Sequence, residues 1–419
     1  MLDRINGFVW GNGLVFLLMF TGLLYTVKLK GIQIKMFPYI IKRLSKGNIR
    51  SEHIRTVCMS LGTAMGTGNI TGVASALAIG GAGAVFWMWV SAFSGMAIVY
   101  AENILSAKYS SKNCKGPMAY ISKGIGSRKT AVFFAVCCIL ASFGMGGMAQ
   151  TNTMSESILC CTHISRQLLA IMIFIAVFAV ISGGAARIGK AAQFLLPAAT
   201  IVYTGLCLVL IFRSRQKLPL VISEIFHKAF GFEQALGGFC GHTVSRALSA
   251  GIRRGVFSNE AGLGSSPILH SSSEASHTYG ICAMFEVFTD TVICCTITAL
   301  TVLCCSPDLT IRSAFLQLTG NCTDILLAGI MTVFAFCTVI GWYYCGETAF
   351  RYLFPETPTA KYAFIFSSSA SVGALFRADT IWTLSDIFNG MMAFPNILAL
   401  ILLSKKVTHG IKSSDTANK

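Results

Sequence analysis

The sequence is poor in charged residues. Only 12% of its 419 residues are Asp, Glu, Lys or Arg, and 54% are hydrophobic, whereas soluble globular domains carry about 25% charged residues. Apolar runs long enough to cross a hydrocarbon core of about 30 Å recur along the whole chain. The composition therefore excludes a soluble globular protein and predicts an all-α polytopic membrane protein with a single transmembrane domain.

Cysteine is plentiful, but cysteine motifs are missing. The sixteen cysteines include four adjacent pairs, such as Cys137-Cys138, and none lies in a CxxC motif or in a Cys/His cluster with metal-site spacing. Adjacent helical positions point about 100° apart, so such pairs rarely form disulfides. The pattern predicts small buried apolar side chains and no bound cofactor.

The first apolar run lacks a cleavage site for a signal peptidase, and it is longer than the apolar region of a signal peptide, so we interpret it as a retained helix. The hydropathy pattern predicts eleven spans, at residues 8–27, 57–79, 84–107, 131–151, 167–184, 190–212, 236–275 (interrupted), 279–304, 324–349, 359–376 and 381–404.

The net charge of +16 is explained by the orientation of the chain in the membrane. With the loop after the first span placed in the cytoplasm, cytoplasmic segments hold 22 Lys and Arg residues and outside segments hold 8. This ratio matches the positive-inside rule for an N-terminus outside and a C-terminus inside, with 405–419 as a cytoplasmic tail. The basic charge is thereby explained, and we expect no nucleic-acid partner.

Two of the predicted spans are irregular. The second contains GTAMGTGNITG at residues 62–72, and the seventh contains GIRRGVFSNEAGLGSSP at residues 251–267. Glycine weakens a helix interior by about 0.5–1 kcal/mol relative to alanine. Unwound backbone at membrane depth persists only where protein or a polar cavity supplies hydrogen-bond partners. The two segments therefore predict helix breaks at a binding site.

The spacing of the two breaks strengthens this prediction. Without the first helix, ten spans remain, and each break falls in the first helix of a group of five, at residues 57–212 and 236–404. An odd number of helices per group makes the groups an inverted pair. Interrupted helices at matching positions of inverted repeats indicate the central site of a transporter, where helix N-termini suit a carboxylate and carbonyl groups suit Na⁺.

The first break can also be interpreted as a packing feature. Gly62 and Gly66, or Gly68 and Gly72, have the spacing of small residues that pack two helices closely. Asn69 could act only as a hydrogen-bonding link between helices. The likeness of GTGNITG to a nucleotide-binding fingerprint is spurious, because no strand precedes it and the third glycine is one position late.

Several segments resemble the alanine/glycine:cation symporters, also called the sodium:alanine symporter family. The two signature regions are residues 66–96, beginning GTGNITG, and residues 255–268, GVFSNEAGLGSSPI; weaker matches are QTN at 150–152, FAFCTVIGWYYCGE at 334–347 and DIFNGMMAFPN at 386–396. This resemblance implies a LeuT-like fold, an inverted repeat of five plus five helices with one extra N-terminal helix.

The resemblance also implies roles for individual residues. Backbone N–H groups of the first break would hold the substrate carboxylate, Gln150 would face the substrate, and Phe257 and Trp342 would be the aromatics around it. A hydroxyl would complete a sodium site with carbonyls of the first break. The implied substrate-binding residues are Gly66, Thr67, Gly68, Asn69, Gln150, Phe257 and Trp342, and the implied sodium ligands are Thr63, Gly66 and Thr338.

The sequence departs from the family pattern at two positions. Ala82 stands where the family commonly has proline, which we interpret as a difference in loop rigidity. Cys337 stands where a second hydroxyl residue commonly precedes Thr338. Thiol is a poor ligand for a hard cation, so this second departure weakens the sodium assignment more than the substrate assignment.

Charged residues within the spans need partners. We expect Glu260 to cap the second half-helix and to pair with Arg253 or Arg254. Glu286 and Asp290 are one helical turn apart, and we expect them to pair with those arginines or to lie near an interface. The role of Asp386 is left open: it forms either a structural ion pair or a proton site.

The predicted function is symport of alanine or glycine with Na⁺ across the plasma membrane by a protein that acts as a monomer in the lipid bilayer. One alternative keeps the fold and uses H⁺, with Asp386, Glu286 or His270 as relay. Another is a membrane-embedded transferase, but the polar residues cluster at the two breaks rather than as paired acid and base groups near one interface. A channel is disfavoured because no selectivity ring is visible.

Overall fold

A computed structural model describes residues 2–34, 38, 51–111, 113–231, 240–270, 276–376 and 378–407, and within them the chain is helical apart from turns and one isolated bridge between Ser111 and Cys114. The α-helices, in chain order, are α1 Leu2–Val9, α2 Asn12–Lys28, α3 Ser51–Ala64, α4 Thr71–Gly80, α5 Gly83–Tyr109, α6 Gly116–Ala119, α7 Arg128–Ala141, α8 Gln150–Leu159, α9 Arg166–Ile181, α10 Gly184–Arg213, α11 Leu218–Phe230, α12 Cys240–Asn259, α13 Ser266–Leu269, α14 Ser276–Val287, α15 Thr296–Cys305, α16 Ile311–Thr319, α17 Thr323–Leu353, α18 Thr359–Gly373 and α19 Ala378–Leu402.

Short non-α turns join some of these helices into continuous rods. Segments with π-helical hydrogen bonding follow α6, join α7 to α8 and join α14 to α15, at Tyr120–Ile125, Ser142–Ala149 and Phe288–Cys295. Two 3₁₀ turns, Thr67–Asn69 and Gly320–Cys322, precede α4 and α17. π-helical turns are frequent at functional sites, and the π-helical segment Ser142–Ala149 leads directly into Gln150.

Three of the described helices begin where a side chain accepts from a free N–H group of the first turn. The hydroxyl oxygen of Ser127 accepts from the backbone N–H of Thr130 at the start of α7. Ser165 and Thr310 do the same for α9 and α16. A hydroxyl residue in this position stabilises a helix terminus by about 0.5–2 kcal/mol.

Large apolar side chains also lie on the outside of the bundle. Phe16, Phe194, Ile201, Phe212 and Leu220 are all exposed, as expected for side chains that contact lipid tails. Within the described residues, seven helical stretches are long and apolar enough to cross a membrane, and Arg166–Ile181 is a shorter apolar helix. The chain is therefore a multi-pass membrane protein.

Each predicted span overlaps helical residues, but the count of eleven spans and the inverted repeat stay predictions. The first broken helix is divided into pieces of 14 and 10 residues, and α12, although 20 residues long, is too polar to be identified as a span by apolarity alone. The tail from residue 408 and most of the basic loop before α3 lie outside the described residues. The orientation of the termini also stays a prediction.

The extra N-terminal helix packs tightly against α5. A Cβ atom built on Gly22 of α2 would overlap Ser94 of α5, so the two helices approach closely because this position has no side chain. One turn further along α2, the Tyr25 hydroxyl donates to the carbonyl of Leu400 in α19 at 2.7 Å. The N-terminal helix is therefore fixed to the helices that surround the second break.

Candidate functional site

The first predicted break is present. α3 ends at Ala64, and a 3₁₀ turn spans Thr67–Asn69 before α4 begins at Thr71. Gly66 is extended, with φ −100° and ψ −157°, and its N–H bonds to the carbonyl of Ala64 at 2.8 Å instead of continuing the α-helical ladder. The prediction of unwound backbone in the middle of this span is confirmed.

Gln150 holds the first break from another helix. Its Oε1 accepts hydrogen bonds from the backbone N–H of Thr67 at 3.1 Å and from the Thr67 hydroxyl at 2.9 Å. Gln150 is the first residue of α8 and is buried. The amide therefore supplies part of the hydrogen bonding that unwinding removes. The structure thus brings together Gln150 and Thr67, two residues that the family resemblance implies for the substrate site.

The predicted sodium ligands lie close to the same break. A Cβ built on Gly66 would lie 2.6 Å from Thr338 Oγ1 and 2.9 Å from Gln150 Oε1, so Gly66 and Thr338 are neighbours. The Thr338 hydroxyl donates to the carbonyl of Gly62 at 3.0 Å. The Thr63 hydroxyl instead donates to Met59 of its own helix at 2.7 Å. Thr338 and the carbonyls near Gly62 and Gly66 are therefore the oxygen groups that could hold Na⁺.

The close-packing interpretation applies to Gly62 and not to Gly72. A Cβ on Gly62 would lie 3.4 Å from the Cβ of Cys337 and 3.6 Å from that of Ala192, at van der Waals contact with two neighbouring helices. A Cβ on Gly72 would meet nothing within 4 Å. Gly68 faces a ring instead, with its Cβ position 3.5 Å from Phe257, so the glycines of this segment serve different purposes.

The second predicted break is also present. α12 ends at Asn259, residues 260–265 lack α-helical structure, and α13 begins at Ser266. Glu260, Gly262 and Gly264 have φ values of 56°, 86° and 85°, in the left-handed region that favours glycine. A non-glycine residue in this region is uncommon, so Glu260 is held there by its surroundings.

Glu260 is bound by its own loop and by Trp342. Its Oε1 accepts from the Trp342 indole N–H at 2.8 Å, and its Oε2 accepts from the Ser265 hydroxyl at 2.5 Å. Within the described residues neither Arg253 nor Arg254 forms an ion pair with it, so the expected pairing is wrong. The physical reason is depth: Glu260 is buried among donors at the break, whereas the arginines lie one to two turns earlier on α12.

The two predicted aromatics occupy different positions. Phe257 faces Gly68 of the first break and packs against Trp382, with ring centroids 5.5 Å apart. Trp342 is fully buried beside Gly146, where a Cβ would overlap the indole. Phe257 therefore borders the first break, while Trp342 is hydrogen-bonded to the second.

A buried polar cluster joins the two breaks. Asp290 accepts from the Asn69 amide at 2.6 Å, from the Ser258 hydroxyl at 2.7 Å and from the Thr291 hydroxyl at 2.9 Å. Ser258 also lies 3.1 Å from Asn69 Oδ1. The expected pairing of Asp290 with an arginine is therefore wrong, and its oxygens instead connect the first break with the residue just before the second.

Glu286 forms a second buried cluster. It accepts from Ser60 of α3 at 2.7 Å and lies 3.0 Å from Nε2 of His270 at the end of α13. The expectation of an arginine partner is wrong here too. Glu286 therefore links the half-helix before the first break to the half-helix after the second.

Sequence reasoning missed Glu102 and Asn396. Glu102 of α5 is fully buried, and its Oε1 accepts from the Asn396 amide at 2.6 Å. Asn396 also donates to the carbonyl of Gly262 at 2.9 Å and accepts from the Tyr120 hydroxyl. A lone carboxylate in the apolar run around residue 102 was the available signal, since such a group at membrane depth is rarely without a role.

Asp386 lies in the first half of α19. Its backbone carbonyl accepts from the indole N–H of Trp10 at 2.6 Å. In the described part of the chain its carboxylate makes no ion pair, and Arg253 and Arg254 are the charges that act on it. The structure thus places Asp386 with the arginines that were assigned to other carboxylates.

Comparison with known proteins gives matches over the full length. The family described as the sodium:alanine symporter family matches residues 1–419. An uncharacterised transporter of Haemophilus influenzae is 37% identical, covering 98% of this chain and 95% of its own. The sodium/alanine symporter AgcS of Methanococcus maripaludis is 34% identical, covering 100% and 98%. A probable sodium/glutamine symporter, GlnT of Bacillus subtilis, is 35% identical, covering 97% and 88%.

Proposed function

Because the chain belongs to the sodium:alanine symporter family, we propose that it carries a small neutral amino acid, alanine or glycine, into the cell together with Na⁺. Members of this family are symporters, so the chain is a transporter and not a membrane-embedded transferase. The observation that carries the proposal is the meeting of the two breaks, with Gly68 facing Phe257 and Asn69 bonded to Asp290.

The substrate carboxylate binds at the first break. The unwound residues 65–70 place the N-terminus of α4 inside the chain, where first-turn N–H groups lack intrahelical acceptors and the helix dipole favours an anionic group. Gly66, Thr67 and Gly68 let the backbone approach the ligand, and Gln150 keeps the segment in its unwound form. Asn69 acts in this proposal by fixing the segment to Asp290, since its amide is bonded there.

The size of the substrate is limited by aromatic side chains. Phe257 lies against Gly68, and Trp342 is immobilised by Glu260 and by the close approach of Gly146. A methyl group or a hydrogen fits beside rings held in this way, whereas a longer side chain requires them to move. Glutamine, the substrate in the name of one relative, is the natural competitor to test.

Sodium supplies the driving force. A zwitterion has no net charge, so the membrane potential alone does not accumulate it, whereas one Na⁺ contributes about 2.3 kcal/mol per 100 mV. Thr338 Oγ1 and the carbonyls near Gly62 and Gly66 form the proposed ion site. Thr63 joins it only if its hydroxyl leaves the carbonyl of Met59.

The test is uptake of radiolabelled alanine, glycine and glutamine into proteoliposomes that contain the whole chain, inserted with the same side facing outward as in the cell. Uptake is measured with and without an inward sodium gradient. We expect sodium-dependent uptake of alanine or glycine and little of glutamine. Uptake that survives replacement of Na⁺ but collapses at alkaline pH would instead support H⁺ coupling through Asp386, Glu286 or His270.

Two variants tie the result to the proposed site. Gly68→Leu should abolish uptake while leaving membrane insertion intact, because the new side chain would extend into the space that faces Phe257. Thr338→Val should raise the half-saturating sodium concentration about tenfold, and Thr338→Ser, which keeps the hydroxyl, should not. Normal transport by Gly68→Leu would remove the first break from the site.

A further inference from the structure

A cavity of about 290 Å³ lies outside the predicted substrate site, at the end of the bundle where α2 begins. Charged and polar side chains from three helical regions line it: Asn6, Arg246, Arg253, Arg254 and Asp386. We call this space the arginine cavity. The positive-inside prediction places it on the outer side of the membrane.

Two of the arginines are held against aromatic rings rather than against carboxylates. The guanidinium of Arg253 lies 5.7 Å from the ring centre of Trp10, and that of Arg254 lies 5.5 Å from the ring centre of Phe257. Such contacts orient a guanidinium and leave most of its N–H donors available to a further ligand.

Asp386 shares the cavity with these cations without closing onto them. Arg253 and Arg254 act electrostatically on its carboxylate, but within the described residues neither nitrogen–oxygen pair comes within ion-pair distance. The cavity thus presents separated positive and negative groups with space between them. This arrangement matches a ligand that carries both charges.

The arginine cavity also adjoins the predicted substrate site. Arg254 lies over the ring of Phe257, and Phe257 also borders Gly68 of the first break. A chain of contacts from Arg254 through Phe257 to Gly68 therefore connects the cavity with the first break.

We propose that the arginine cavity is a second binding site for a zwitterionic α-amino acid, which holds the molecule before it passes Phe257. The ligand's carboxylate accepts hydrogen bonds from Arg253 and Arg254, and its ammonium group donates to Asp386. The inference rests on the proposed function for the class of ligand. Asp386 distinguishes it from a simple anion site, because a carboxylate facing the cavity repels an anion that lacks an ammonium group.

The experiment measures equilibrium binding of radiolabelled alanine to the full-length protein in nanodiscs, with Gly68→Leu used to block the central site. We expect Gly68→Leu to keep one weaker site per chain. Adding Asp386→Asn should weaken that site about tenfold, since a hydrogen bond to a charged group is lost. Propionate, which lacks the ammonium group, should compete poorly before Asp386→Asn and as well as alanine after it.

Asp324→Asn is the matched control. Asp324 pairs with Arg312 at 2.6 Å on the surface, outside the arginine cavity, so this variant makes the same chemical change elsewhere. In the otherwise unaltered chain, Asp386→Asn should raise the KM of alanine uptake about tenfold with little change in the maximal rate, and Asp324→Asn should change neither.

Three results would overturn the proposal: no alanine bound by Gly68→Leu, the same affinity with and without Asp386→Asn, or propionate competing as well as alanine while Asp386 is present. The last result would identify an anion site. Absence of sodium-driven alanine uptake by the unaltered chain would contradict the proposed function instead. Normal uptake with an unchanged KM in Asp386→Asn would contradict only the second site.

Discussion

The two breaks are stabilised in different ways. The first is held from outside, because Thr67 bonds to Gln150 of another helix and Gly66 crowds against Thr338. The second is held both from within and from outside, because Glu260 bonds to Ser265 of the same loop and to Trp342, and the Gly262 carbonyl accepts from Asn396. Unwound backbone in a membrane thus needs partners, but these can come from the neighbouring helix or from the loop itself.

This difference has a functional meaning. Thr67 and Gly66 lie where an ion and a carboxylate are proposed to bind, so the first break can exchange its protein partners for ligands. Glu260 of the second break also fixes the Trp342 indole, so that loop sets the position of an aromatic wall. We therefore expect variants of the first break to affect ligand binding and variants of the second to affect the shape of the site.

The largest effect is expected at Gly66. In Gly66→Ala the new Cβ would lie 2.6 Å from Thr338 Oγ1 and 2.9 Å from Gln150 Oε1, and both buried groups must move. Overpacking of this kind costs about 1–3 kcal/mol, and here it also displaces the proposed ligands, so uptake should fall about 100-fold. The measurement is the initial rate of alanine uptake, corrected for the amount of folded protein in the liposomes.

The next effect tests the connection between the breaks. Asp290→Ala removes the carboxylate that accepts from the Asn69 amide and the Ser258 hydroxyl and leaves these buried donors only longer hydrogen bonds, which costs about 1–3 kcal/mol. Thermal unfolding in detergent should occur at a lower temperature, and alanine affinity should fall about tenfold. Asp290→Asn keeps one acceptor oxygen and should fall between this variant and the unaltered chain. Equal behaviour of all three proteins would show that the cluster does not couple the breaks.

A smaller effect is expected for the bond between the second break and its aromatic wall. Trp342→Phe removes the indole N–H, and Glu260→Gln weakens the same contact, so each variant should lower alanine affinity about fivefold. Their effects should not add, because both act on one interaction. A double-mutant cycle on alanine binding measures the coupling between the two positions. Strictly additive losses of alanine affinity would argue against the contact.

The smallest effect is expected at Gly72, the matched control for Gly66. A Cβ there meets nothing within 4 Å, and the position is helical, so alanine fits without displacing a neighbour. Gly72→Ala should transport within about twofold of the unaltered chain and should be slightly more stable to heat. A large loss in Gly72→Ala would mean that helix flexibility, rather than the crowding at Gly66, governs this segment.

Both breaks were predictable from sequence because a glycine-rich, polar segment destabilises a helix inside an apolar span unless tertiary partners or a ligand compensate. The pairing of the buried carboxylates was not predictable. Glu260, Glu286 and Asp290 were assigned to arginines by charge alone, whereas burial places each beside uncharged donors, which are the Trp342 indole, the Ser60 hydroxyl and the Asn69 amide. Which side chains meet across helices depends on helix rotation and depth, which periodicity along one chain does not determine.

The central claim is that the two breaks form one site in which an amino acid and Na⁺ stabilise each other. Its most direct test is equilibrium binding of alanine to the purified full-length protein at zero and saturating Na⁺, together with the reciprocal sodium titration at zero and saturating alanine. We expect Na⁺ to tighten alanine binding at least about fivefold, and alanine to tighten Na⁺ binding by the same factor, with both effects lost in Gly66→Ala. Alanine binding that is independent of Na⁺, or unchanged in Gly66→Ala, would contradict the account.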